Sequence, residues 1–210
     1  MKYAQINVDG TFDRELPDGN IVFDDRNFCT AAALVHDGKA EQFRVVELLE
    51  TAVPAINPAA EVVARDGAEK LDGQWQYKWT ITTLSAPTIA ANLAAAKTAK
   101  NTQINSWRAQ ANQTSFTHAT KQIACDALSR SDIDAVAGSV SLSGAFPAGF
   151  PGAWKAMDNS YLMLPDIAAF KALYASMTLQ GTINFGKSQN LKTALAAATT
   201  IEQVNALVWA

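Results

Sequence analysis

The chain is 210 residues long, 49% apolar and 18% charged, with a formal net charge of −3. That length suits one large domain or two small ones, and the apolar share is enough for a real core. The weak negative charge gives no electrostatic footprint for nucleic acid, and no apolar run approaches the ~18 residues that a membrane-spanning helix needs.

Cutting the chain after Ser85 uncovers an asymmetry. Residues 1–85 hold 14 acidic and 8 basic side chains, whereas residues 86–210 hold 6 and 9. Balances of −6 and +3 would let the halves attract each other or like copies, although exposed charges are screened over ~8–10 Å. Cys29 and Cys125 fall in different halves and form no C-x-x-C pattern. They read as buried or half-buried thiols of a protein made in a reducing cytosol. The opening MKYAQINVDG lacks the apolar stretch of a signal peptide.

Residues 1–84 read as a β-rich N-terminal domain. All five of their glycines follow an aspartate: Asp9-Gly10, Asp18-Gly19, Asp37-Gly38, Asp66-Gly67 and Asp72-Gly73. The pair tolerates the positive φ of tight hairpin turns, so its repetition between apolar runs predicts an antiparallel meander. Tyr3, Ile6 and Val8 flank the first turn. A helix is placed across Asn27 to Val35. Phe43 to Leu49 is apolar on both faces and reads as a central strand. Pro54 and Pro58 break the chain beyond it. Glu61 to Ala64 is paired with Gln74 to Thr82, where Trp75, Tyr77, Trp79 and Ile81 alternate with polar residues and share one face. Such a stripe either packs under another element or binds sugar or peptide.

Ser85 caps, and Pro87 opens, a connecting helix over 85–112. Ile89, Leu93, Ala96, Ile104 and Trp107 fall near one side of this alanine-rich segment, and its small side chains allow close approach of another backbone. It reads either as an inter-chain helix of a trimer or as a connector within one chain. Lys100 and Gln103 interrupt its heptads.

Residues 113–210 read as an α+β C-terminal domain. Phe116 to Cys125 predicts a hairpin, and Asp126, Ser129 or Ser131 caps a helix carrying Ile133, Val136 and Val140. The loop from Ser143 to Ala153 has too many Pro and Gly residues for regular structure. Trp154 to Leu164 is assigned as a third strand of the hairpin. Pro165 opens a helix with Ile167, Phe170, Tyr174 and Met177 on one face, ended or kinked by Gly181 and Gly186. Lys187 to Ala198 continues as helix. Thr199 or Thr200, with Glu202 or Gln203, forms a capping box for a last helix. The whole is α+β: a β-rich region, an Ala-rich helix, and a mostly helical domain with a small hairpin or three-stranded sheet.

The chemistry is sparse. Asp126, Ser129, Arg130, Asp132 and Asp134 cluster, but without the glycine and closing glutamate of a calcium loop they read as a helix start. His36 and His118 have no partner at zinc-ligand spacing. G-x-S-x-G and phosphate-loop patterns are absent. Glu47 and Glu50, with Asp24 and Asp25, sit in ordinary polar positions for a glycosidase pair. Arg108 is assigned an ion pair with Asp126 that docks the long helix on the hairpin. The chain is thus read as a non-enzyme with no cofactor and no metal.

Gln103 to Val136, QINSWRAQANQTSFTHATKQIACDALSRSDIDAV, followed by WKAMDNSYLML, resembles an uncharacterised small α+β domain at the C-terminal end of many bacteriophage tail-fibre-associated proteins. The resemblance spans about residues 90–208. Its anchors are Ile104 and Arg108 on a helix, then Asp126 and Ser129 after the hairpin. Ile133 follows, then Trp154, Asp158, Asn159 and Leu164, and a leucine-rich tail over Leu191 to Leu207. DGQWQYKWTITTL, Asp72 to Leu84, is similar to the N-terminal β region of short phage tail proteins. The sequence departs from the domain at Gln122 to Cys125, which lacks the usual aromatic, and at Pro165, where a Thr cap is common. The resemblance implies a structural virion protein of the tail, a short tail fibre or fibre-attachment component made in the host cytoplasm. Its alternatives are an assembly chaperone for the fibre and a carbohydrate-binding or cell-wall-degrading tail module. The implied partners are other tail proteins, two further copies in a homotrimer, and a host cell-surface glycan, without nucleic acid or membrane insertion.

Overall fold

The structure, a computed structural model, describes the backbone of residues 1–17, 20–24 and 27–210 and the side chains of residues 1–17 and 30–210. The chain is α+β and divides into two compact units, Met1–Ile89 and Ala90–Ala210.

The first unit contains β1 (Lys2–Ile6), β2 (Phe12–Leu16), β3 (Asn20–Asp24), β4 (Asn27–Thr30), α1 (Ala31–His36), β5 (Val45–Leu49), β6 (Glu61–Leu71) and β7 (Gln74–Thr83). Five strands form one sheet in the order β2-β1-β5-β7-β6, with β3 and β4 as a separate hairpin. β5 is the central strand, as its two apolar faces predict. β6 and β7 pair antiparallel from Glu61↔Thr83 to Leu71↔Gln74. The expected antiparallel meander is corrected, because β5 runs parallel to β7, β1 pairs with β5 out of chain order, and β3–β4 stand apart from the sheet.

The Asp-Gly pairs explain the difference. Asp9-Gly10 and Asp72-Gly73 do turn hairpins, and both residues of the second pair have positive φ, 51° and 85°. Asp37-Gly38 instead follows the end of α1. Asp66-Gly67 is a bulge within β6, between Arg65 and Ala68. Asp18-Gly19 lies outside the described residues. The helix expected over Asn27 to Val35 starts at Ala31, capped by the Thr30 hydroxyl accepting from Ala33 N–H at 3.1 Å.

Both sheet faces are apolar. One buries Leu16 and Val45 beneath Ala31 and Leu34 of α1. The other buries Ala4, Leu48 and Tyr77, with Phe12, Trp75 and Trp79 packed around them. This second face is closed by curvature, because the edge strands β2 and β6 approach each other. Arg65 on β6 lies 3.9 Å from Glu15 on β2. The Phe12 ring sits so close to Gly67 that an added Cβ would lie 3.1 Å from it, so glycine is required there both for space and for its φ of +79°.

α2 (Ala86–Asn112) starts within the first unit and continues into the second, with Ser85 Oγ accepting from Thr88 N–H at 3.3 Å. The second unit adds β8 (Ser115–His118), β9 (Lys121–Ala124), α3 (Ala127–Ser143), β10 (Ala153–Lys155), β11 (Tyr161–Met163), α4 (Ile167–Ala197) and α5 (Ile201–Asn205). One core joins Phe116, Ile123, Ile133 and Leu164 to Phe170, Leu173 and Met177 of α4. A second joins Ile104 of α2 to Leu195, Ala198 and Val204. α4 runs through both.

Two expectations are corrected here. Trp154 to Leu164 forms its own hairpin, β10–β11, tied to β9 by Met157 N–H donating to Gln122 C=O at 2.9 Å. Gly181 and Gly186 do not end α4, which is one helix of 31 residues. Each glycine costs about 1 kcal/mol in a helix interior, and packing of the flanking turns into two cores outweighs that. The capping box forms, with Thr200 and Gln203.

Candidate functional site

The aromatic stripe of β7 is the first candidate. Tyr77 is only 4% exposed, and the Arg65 guanidinium stacks over its ring at 3.8 Å and over Trp79 at 5.4 Å. Arg65 reaches Glu50 at 2.6 Å, and Trp79 Nε1–H donates to Thr51 Oγ1 at 2.9 Å. Burial, and then the neighbouring Glu15 carboxylate, push the Tyr77 phenol up to about 12. Its hydroxyl has no partner at hydrogen-bond geometry. Two of the three rings are therefore committed to the interior of the curled sheet. Trp75 is half-buried and lines an open pocket of about 690 Å³ with Lys2, Leu48, Glu50 and Lys70.

The helical candidates lie on α2 and α4. Of the α2 residues named from sequence, Ile104 is fully buried, and Leu93 and Trp107 pack against the same α4–α5 core, so this seam is used within the chain. Ile89, half-buried, closes the first unit's residues. All three cations of α2 also turn inward. Lys97 and Lys100 donate to the carbonyls of Ala196 and Leu207, at 2.9 and 3.2 Å, and Arg108 lies 4.8 Å from the Phe185 ring.

The remaining anchors hold local structure. Asp126 caps α3, accepting from Leu128 and Ser129 N–H at 3.1 and 3.0 Å and from Ser129 Oγ at 2.7 Å. Those Ser129 bonds hold its carboxyl below the usual range. The predicted Arg108–Asp126 ion pair does not form. Asp126 spends its oxygens on the free N–H groups of α3, and Arg108 faces α4. Asp158 accepts from Ser160 Oγ and N–H, which lowers its pKa, and Asn159 takes the left-handed turn position at φ 65°. Trp154 packs on the first core beside Phe150. Ser129, Trp154 and Asn159 come together on one groove of about 480 Å³, with Asp132. Cys125 is buried, and burial pushes its thiol up. The Cys29 side chain lies outside the described residues. No cluster of three or more His, Cys, Asp or Glu suited to a metal occurs among the described residues.

With this geometry in place, the comparisons bear on the second unit. A family described as a domain of unknown function (DUF4376) matches residues 95–208, more than half of the chain. The chain belongs to the DUF4376 family. Comparison with curated proteins finds no match, and comparison with solved structures finds none.

Within the DUF4376 region, the exposed side of α4 carries apolar residues that the sequence pattern did not single out. Its buried seam, Phe170, Leu173, Met177, Asn184, Ser188 and Leu195, is matched by an exposed opposite side of Ala168, Ala172, Ala175, Leu179, Ile183 and Gly186. Leu179 and Ile183 are 60% and 54% exposed. The segment contains no acidic residue, and that is the signal the sequence offers. Gly181 and Gly186, read as ending or kinking the helix, hide the continuity of the second stripe.

Proposed function

We propose that the chain is a structural protein of a bacteriophage tail, a short tail fibre or fibre-attachment component that assembles as a homotrimer and catalyses no reaction. The resemblance of residues 90–208 to the tail-fibre domain supports the setting. The observation that carries the assembly role is α4. A helix with apolar residues on both sides belongs in an interior, yet here one side faces solvent from Ala168 to Gly186. Exposed patches of this kind mark association surfaces. On this reading the outer side of α4 meets its copies, and the first unit faces other tail proteins or the host surface glycan. The protein is made in the host cytoplasm and ends in the virion tail.

Light scattering of the purified full chain tests the assembly. The expected mass is three times 22.5 kDa, and Leu179→Glu with Ile183→Glu reduces it to one copy. A wild-type mass of a single chain at high concentration would overturn the homotrimer. Peptide mass spectrometry of purified virions tests the setting. Stoichiometric presence supports a tail component, and absence assigns the chain to the chaperones that leave after fibre assembly.

A further inference from the structure

A second feature of the DUF4376 region is independent of how copies assemble. A pocket of about 320 Å³ lies between α2, α3 and α4, lined by Arg108, Asn112, Arg130, Thr178, Thr182 and Phe185. Two of its polar groups are guanidiniums. Arg108 lies over the Phe185 ring, and no carboxylate pairs with it among the described residues. Arg130 meets Asp134 only at 3.9 Å through Nε. A guanidinium offers five N–H donors and no acceptor.

Asn112 is oriented by a buried relay. Asn184, 4% exposed, accepts from Gln180 Nε2–H at 3.2 Å and donates through Nδ2 to Asn112 Oδ1 at 2.9 Å. That bond occupies the Asn112 carbonyl oxygen and leaves its amide N–H donors uncommitted among the hydrogen bonds of the described residues. Thr178 and Thr182 spend their hydroxyl protons on the Ala175 and Thr178 carbonyls, at 2.9 and 3.0 Å. Arg108, with no carboxylate partner among the described residues, and Arg130, met by Asp134 only at 3.9 Å, therefore bring two guanidiniums to one pocket, the arrangement that binds a planar oxyanion by charge-assisted hydrogen bonds.

We propose that this pocket binds the carboxylate of an aspartate or glutamate side chain on a partner polypeptide that carries an apolar residue beside it. The apolar neighbour is required by Phe185, 46% exposed on the pocket wall. A fully hydrated anion gains nothing from that ring, whereas an acidic residue beside a leucine matches both the guanidiniums and the ring.

The test uses the full-length protein and N-acetyl-Leu-Glu-amide as probe, followed by NMR at the Arg108 Nε–H and Asn112 Nδ2–H signals. Saturable shifts are expected, together with none from the Leu-Gln analogue and weaker ones from inorganic phosphate. Arg108→Gln weakens binding by about tenfold or more, the loss that accompanies removal of a hydrogen bond to a charged group. Gly181 also lines the pocket, and Gly181→Leu gives the same loss by filling it. It keeps the helix, because an added Cβ at Gly181 meets nothing within 4 Å and leucine is the better helix former. Lys155→Gln leaves binding unchanged. Equal shifts from the Glu and Gln probes, tighter binding of phosphate, or no shift at Arg108 would each overturn the assignment.

Discussion

At the scale of single residues, Tyr77 is the sharpest case of a side chain whose cost can be measured. Its ring fills the curled sheet under Arg65, but its hydroxyl is buried without a hydrogen bond. An orphaned polar group costs ~1–3 kcal/mol in desolvation, so Tyr77→Phe is expected to raise stability in urea by about 1 kcal/mol. The pH dependence has a definite sign. The folded phenol is raised to about 12 from 10.0, mainly by burial. Below pH 10 both states are protonated and the contribution is fully present. Between pH 10 and 12 the unfolded chain ionises first and stability falls. Denaturant midpoints measured across that range should fall for the wild type and stay flatter for Tyr77→Phe. A wild type with no alkaline fall would show that the phenol ionises freely in the fold.

Elements show which parts of this architecture are legible in sequence. Alternation reports which residues share a strand face, so β7 and its pairing with β6 are readable from Trp75, Tyr77 and Trp79. Asp-Gly reports only that φ can be positive, and a hairpin turn, a helix end and a bulge all use that property. The parallel β5–β7 pairing depends on contacts between Leu48 and Trp75, distant in sequence, and no local signal encodes it. Glycine misleads in α4 for the same reason: its propensity penalty is small beside two cores. Likewise the partner of Arg108 is not legible: it faces Phe185 of α4 rather than Asp126 after the hairpin.

The β8–β9 turn is the reverse case, a turn without turn residues. Ala119 and Thr120 both adopt left-handed backbone, at φ 45° and 68°. That conformation costs non-glycine residues ~1–2 kcal/mol, and β-branched threonine is the poorer fit. Replacing the pair with Asn-Gly, the favoured residues for such a turn, should stabilise the protein by about 1–2 kcal/mol, read as a rise in Tm. An unchanged or lower Tm would mean that Ala119 and Thr120 hold the hairpin through contacts that offset their strain.

For the whole molecule, two forces could draw copies together, and they respond oppositely to salt. The −6 and +3 balances of the chain's two parts would favour charge pairing between copies. That attraction is screened beyond ~8 Å at physiological ionic strength and should collapse on going to 1 M salt, where the screening length is ~3 Å. The exposed side of α4 from Ala168 to Gly186 carries one charged residue, Lys171, among its small and apolar positions, so its burial is driven mainly by removal of apolar surface. Association through α4 should therefore persist or strengthen as salt rises, make Tm increase with protein concentration, and bury enough apolar area to give a negative heat-capacity change. Sedimentation at low and high salt separates the two. An oligomer that survives in high salt and is lost in Leu179→Glu identifies α4 as the contact, whereas one that dissociates in salt while tolerating Leu179→Glu assigns assembly to the charge asymmetry and leaves the outer side of α4 to a different partner.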